Sequence, residues 1–184
     1  MRLFIATSFQ AEVIDDLNAR VARVKPRLPA ASWVRPETQH LTFAFLAEQP
    51  EALVEKIAAP LATTLSAIAH FEAQLHGCGF FPNPRHARVG WIGLQPEEKF
   101  VTIANTVRDV VKKHGVQLDA SDFRPHLTLM RIRDRWPPAS IDLFCSTLRD
   151  YRSASFEVKD VTLYSSQLNP NGAIHTPLRT FALQ

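Results

Sequence analysis

Hydrophobic positions along the chain follow two periods, and the switches between them mark out the elements. Residues 2–8, "RLFIATS", are apolar and β-rich, which predicts a first strand. Over residues 10–25 the spacing becomes helical, with Val13, Leu17, Val21 and Val24 on one face, and Pro26 and Pro29 end the run. A proline-containing loop over 28–39 leads into an apolar strand at about 40–46. Residues 50–68 place Leu53, Ile57, Leu61 and Leu65 on one helical face, with Pro60 predicting a kink or break inside it.

Two strands follow at 70–81 and 87–94, around the turn "PNPRH". Residues 97–115 predict a strongly amphipathic helix that buries Phe100, Ile103, Val107, Val110 and Val111. Glu97 and Glu98 stand at its positive end, Lys112, Lys113 and His114 at its negative end, and Gly115 is the expected cap. A strand at 126–130 and a short helix at 141–150 come next. Strands at 155–168 and 174–183 around "NPNG" close the chain. The order β-α-β-α-β-β-α-β-α-β-β predicts an α+β fold.

The two halves echo one another. Each has a helix, a proline-containing approach, a strand opening His-Leu-Thr, and another helix: "HLTF" at His40 and "HLTL" at His126, almost half a chain apart. Side chains two apart on a strand share a face. His40 and Thr42 therefore sit opposite Leu41, Phe43 and Phe45, while His126 and Thr128 sit opposite Leu127 and Leu129. One such strand needs no chemical explanation. Two of them, each with an apolar back, predict lobes about a pseudo-twofold axis whose polar faces meet across a cleft.

Two imidazoles and two hydroxyls around one space suit displacement at phosphorus. A neutral imidazole can take a proton from water while a charged one protonates the leaving oxygen, each transfer being worth ~10²–10⁴-fold. Hydroxyls and nearby arginines would hold the non-bridging oxygens. The near-symmetry of the motifs leaves open which histidine is acid and which is base. Neither motif carries a second metal-ligating side chain on its face, so no metal and no cofactor are expected.

Charge and composition narrow the field. A formal net charge of +3, with arginine more frequent than lysine, favours a phosphate-bearing partner. Arg124, Arg131, Arg133 and Arg135 crowd around the second motif. Arg131 has the wrong parity to face His126 unless the strand ends or twists before it. No glycine-rich phosphate loop follows a strand, which excludes a Rossmann or P-loop nucleotide site. No run is apolar and long enough to span a membrane, and the N-terminus reads as a strand, not a signal peptide. Cys78 and Cys145 read as free thiols of a reducing, cytoplasmic protein, with a disulfide the lesser alternative.

The paired motifs, with "RLFIA", "WVRPETQHLTFAFL", "FPNPRHARVGWIGL", "FRPHLTLMR" and "LYSSQL", resemble the two-histidine (2H) phosphoesterases from first strand to last. Within them the likeness is to the RNA 2′,3′-cyclic phosphodiesterase branch, also called 2′-5′ RNA ligase. The resemblance implies a bilobal α+β fold with antiparallel sheets lining a central cleft and helices outside, built from residues 1–184 as one domain of two intertwined lobes. It implies hydrolysis of RNA 2′,3′-cyclic phosphate ends to 2′-phosphomonoesters, with the reverse 2′-5′ ligation in some members. His40 would be the proton donor, His126 the proton acceptor, and Thr42, Thr128 and Arg131 the phosphate-binding residues. A monomer is expected.

Alternatives within and outside that activity are small cyclic nucleotides or 2′-5′ oligonucleotides as substrates, or a non-catalytic RNA-binding module. Trp33, Phe9, Phe80, Phe81 and Phe123 are stacking candidates that core packing would equally explain. His70, His76, His86, His114 and His175 lack the motif threonine. Asp119, Ser121 and Asp122 are candidates for orienting His126.

Overall fold

Four helices and nine strands make up the fold in a computed structural model that describes residues 1–119, 122–169 and 172–184. In chain order they are β1 (Arg2–Ser8), α1 (Ala11–Ala22), β2 (Ser32–Trp33), β3 (His40–Glu48), α2 (Ala52–Leu65), β4 (Phe71–Phe81) and β5 (Val89–Gln95). There follow α3 (Glu97–Lys113), β6 (His126–Arg131), α4 (Pro138–Leu148), β7 (Phe156–Val158), β8 (Asp160–Asn169) and β9 (Gly172–Ala182). The expected order holds, with two refinements. The loop before β3 contributes the two-residue strand β2, and the expected strand 155–168 is two strands in different sheets. Positions 170 and 171 of the "NPNG" turn, and Ser121, lie outside the described residues.

Two antiparallel sheets form, ordered β3-β1-β8-β9 and β2-β6-β5-β4-β7. The orders β3-β1-β8-β9 and β6-β5-β4-β7 correspond strand for strand, which is the bilobal echo expected from the motifs. Each motif strand lies beside the strand that precedes it by one helix: β1-α1-β3 in one lobe, β5-α3-β6 in the other. Chain connectivity interlaces the sheets, because β1 and β3 pair with each other while β8 and β9 return from the far end of the sequence.

Helical periodicity accounts for the outer layer. α1 buries Val13, Ile14, Leu17 and Val21, and α3 buries Phe100, Ile103, Ala104, Val107, Val110 and Val111. α3 ends in a Schellman motif: the Gly115 N–H donates to Lys112 O (3.0 Å) and the Val116 N–H to Val111 O (3.1 Å), with Gly115 at φ +85°. α2 runs unbroken through Pro60. The missing N–H frees only the carbonyl of exposed Lys56, while Leu53, Ile57, Leu61 and Leu65 anchor both halves of the helix.

Cys78 on β4 and Cys145 on α4 are free and adjacent, with Cys78 Sγ 3.7 Å from the Cys145 carbonyl oxygen. Among the described residues, no helix is long and apolar enough to cross a membrane.

Candidate active site

β3 and β6 run alongside each other where the two sheets meet, and this contact brings the motifs together. Each histidine is held the same way. His40 Nδ1 lies 2.7 Å from Thr38 O, and His126 Nδ1 lies 2.7 Å from Arg124 O. A carbonyl only accepts, so Nδ1 carries the proton in both rings. Nε2 is then a bare lone pair in the neutral ring and an N–H donor in the charged one. The backbone thus gives two rings of one tautomer, each able to take or give a proton at Nε2.

Local sequence explains the anchoring. A short helical turn at Pro36–Thr38 presents the Thr38 carbonyl to His40. Buried Gln39 is tied to α1, its amide accepting from Asn18 Nδ2 at 3.0 Å and donating back to Asn18 Oδ1 at 3.3 Å. In the second motif Pro125 disfavours helical backbone at Arg124, keeping the approach to β6 extended. Neither Asp119 nor Asp122 holds the His126 ring; both line the neighbouring cavity.

Aromatic walls also repeat. His40 stacks on Phe4 and His126 meets Phe81 edge-on, both at 4.9 Å between ring centroids. Trp91 packs behind His126 at 6.2 Å, over Gly79, where any side chain would collide with the indole. Arg124 caps Trp91 at 5.1 Å. Burial among these rings lowers the pKa of both histidines. For His40 the neighbouring His175 and His126 add to that effect. For His126 it is the guanidinium groups of Arg124 and Arg131.

The strand parity read from the sequence holds up to each threonine and then reverses. Ala6 pairs with Thr42 but Ile5 with Ala44, which leaves Phe43 as a bulge. Trp91 pairs with Thr128 but Gly90 with Met130, which leaves Leu129 as a bulge. A bulge adds one residue and flips the alternation beyond it. Phe45, expected in the core, is therefore 45% exposed and lines the cavity with His40 and Thr42. By the same inversion Arg131 reaches the face of His126 and Thr128, which its position in the sequence seemed to deny it. Phe45 and Arg131 occupy equivalent places, five residues after each histidine.

The resulting cleft has two compartments meeting at Thr42. One, of about 700 Å³, is lined by His40, Thr42, Thr128, Arg131, Arg2, Arg35, Trp33, Phe45 and His175, among others. The other, of about 360 Å³, is lined by His126, Thr42, Phe81, Phe123, Arg108 and Arg124, among others. All five expected site residues thus line one or other of these two adjoining compartments, which share Thr42 and Phe45. Of the stacking candidates, Trp33, Phe81 and Phe123 line them. Phe80 is core, and Phe9 packs edge-on against Phe156.

Three of the remaining histidines have structural partners: His70 with Glu157, His76 with the Tyr151 carbonyl, and His114 with the Val110 carbonyl. His86 sits in the exposed turn. The remaining histidine, His175 on β9, lines the cavity beside His40, a place the motif did not point to. Among the described residues no group of three or more His, Cys, Asp or Glu could hold a metal ion.

Comparison with known proteins agrees with this fold. Residues 10–170 match the model of the 2′-5′ RNA ligase superfamily. The chain is 35% identical to an RNA 2′,3′-cyclic phosphodiesterase of Archaeoglobus fulgidus, over 98% of this chain and 99% of that one. It is 32% identical to an RNA 2′,3′-cyclic phosphodiesterase of Thermus thermophilus, over 100% of this chain and 91% of that one. Among solved structures it is similar to TT0787 of Thermus thermophilus, with TM-score 0.80, 28% identity and coverage of 99% and 97%. It is also similar to E. coli LigT complexed with 3′-AMP, with TM-score 0.76, 25% identity and coverage of 99% and 97%. With its paired motifs, mirrored sheets and this kinship, the chain belongs to the 2′-5′ RNA ligase superfamily of two-histidine phosphoesterases.

Proposed function

We propose that this chain is an RNA 2′,3′-cyclic phosphodiesterase. It hydrolyses a terminal cyclic phosphodiester to a 2′-phosphomonoester without a metal ion. Water attacks phosphorus, the P–O3′ bond breaks, the proton lost by water passes to His126, and His40 delivers one to the 3′-oxygen. Thr42, Thr128 and Arg131 hold the non-bridging oxygens as charge builds on them. The observation that carries this reading is the matched pair of Nδ1-anchored imidazoles, each leaving Nε2 free of that anchor and each two residues before a threonine on its strand.

Burial lowers the pKa of both rings; Arg124 and Arg131 add to it at His126, and His175 and His126 add to it at His40, so each ring is placed to exchange a proton. The donor and acceptor roles follow the family likeness. We read residues 1–184 as one domain acting as a monomer in the cytoplasm, a compartment that keeps thiols such as Cys78 and Cys145 reduced. The likeness to RNA 2′,3′-cyclic phosphodiesterases supports the cyclic phosphate as substrate.

The direct test is a short RNA with a 2′,3′-cyclic phosphate end, incubated with the purified protein in EDTA. The expected product is the 2′-phosphomonoester at an unchanged rate. Abolition of turnover by EDTA would overturn the metal-free mechanism, and recovery of a 3′-phosphomonoester would overturn the assignment of the leaving oxygen.

The pH dependence follows from the lowered pKa values. The active free enzyme needs one imidazole charged and one neutral, so kcat/KM should be bell-shaped. Both limbs belong to groups held below their ordinary value near 6.5, so the maximum lies on the acid side of that value. An anionic phosphate stabilises imidazolium, so the kcat profile should sit at higher pH than that of kcat/KM. Stability obeys the same linkage. These rings contribute fully above the unfolded value near 6.5, and that contribution is lost as pH falls through the folded values. A kcat/KM maximum well above pH 7 would contradict the assignment.

A further inference from the structure

His175 enters the cleft from the far end of the chain. It stands on β9 opposite Ser166 of β8, and β8 in turn pairs Tyr164 with Phe4 of β1. That register puts its ring edge-on to His40, at 5.2 Å and 84°, and edge-on to Phe4, at 4.9 Å and 74°. His40 and Phe4 are themselves stacked, so the acid of the proposed pair sits inside a corner made by two rings. His126 has an edge-on ring in Phe81 but no third imidazole beside it.

His175 also has an unusual hydrogen-bonding state. Its Nδ1 is buried and, among the described residues, has no partner. Charging the ring would put an N–H on a buried nitrogen without an acceptor, which burial disfavours. Hydrogen-bonding demands that no protein group meets are rare in native structures and call for an explanation.

We propose that His175 is a positioning residue for the proton donor: with Phe4 it clamps the His40 ring in the plane that points Nε2 at the bound phosphorus and shields that ring from water. The inference rests on the reading of His40 as the acid. Shielding and a neighbouring imidazole both disfavour the charged form of His40, making its proton easier to release. Arg2 on β1, Arg35 in the loop before β3 and Arg131 on β6 line the same compartment, Tyr164 on β8 stacks on Phe4, and His126 on β6 bears on His40. On the α2 side Glu55 is already engaged by Arg179 of β9.

The test follows ring protons of individual histidines by NMR titration in the free enzyme. The variants are His175→Phe, which keeps a ring edge, and His175→Ala, which opens the corner. His70→Gln, remote from the cleft, is the control. The His40 midpoint should rise by several tenths of a unit in His175→Phe and by about one unit in His175→Ala, with His126 unmoved. The alkaline limb of kcat/KM should shift by the same amounts. Both variants should lower kcat by about tenfold or more with KM little changed, as expected for a misaligned reacting group.

An unchanged His40 midpoint in both folded variants overturns the proposal. So does a parallel shift of His40 and His126, which would mean general loosening of the cleft. The titration needs no turnover, so its failure is distinct from failure of the catalytic assignment, which the His40→Ala assay reads.

Discussion

His126→Ala should lower kcat for cyclic phosphate hydrolysis by about 10²–10⁴-fold, the usual worth of a positioned general base. His40→Ala should cost a similar amount. In the proposed mechanism both rings act on one phosphorus within one transition state, so the double variant should be little worse than either single one. Neither change should unfold the protein, because both rings are only half-buried and each makes one local bond to a carbonyl two residues away. Initial rates under saturating RNA, with a thermal melt of each variant, check both halves of the expectation. Full turnover by a folded His126→Ala protein would dismiss the two-histidine mechanism.

The next largest effect belongs to the threonines. Thr128→Val keeps the shape of the side chain and removes only the hydroxyl, so it isolates the hydrogen bond proposed to reach the phosphate. Losing one preorganised donor to developing charge costs about 10²–10³-fold in kcat. Thr42→Val should match it, because both hydroxyls line the same compartment. KM should change far less than kcat, since the bond strengthens as charge accumulates. If both variants raise KM and spare kcat, the threonines merely dock the ground state.

The site was legible where two residues sufficed to define it. His-x-Thr places imidazole and hydroxyl on one face by strand period alone, and the apolar positions between them mark the buried side. The motif said nothing of residues placed by long-range register. His175 is set beside His40 by two successive strand pairings, β9 on β8 and β8 on β1, and no local pattern encodes that sum. Bulges were equally silent. Phe43 and Leu129 look like ordinary core positions and are buried as such, yet each displaces the alternation that follows. The split of residues 155–168 into β7 and β8 turns on Lys159, where the chain leaves one sheet for the other without a glycine or proline to announce it. Pro60 misled in the opposite direction, because four buried leucine and isoleucine side chains outweigh one missing hydrogen bond.

The paired irregularities after the two threonines have a consequence for how a guest must lie. A cradle with true dyad symmetry would accept a ligand equally well either way round, and half of all encounters would present the wrong oxygen to the donor. Here the same kink delivers a phenyl ring on one side and a guanidinium on the other. The substitution of one side chain for another at matched places gives an otherwise even-handed scaffold a head and a tail.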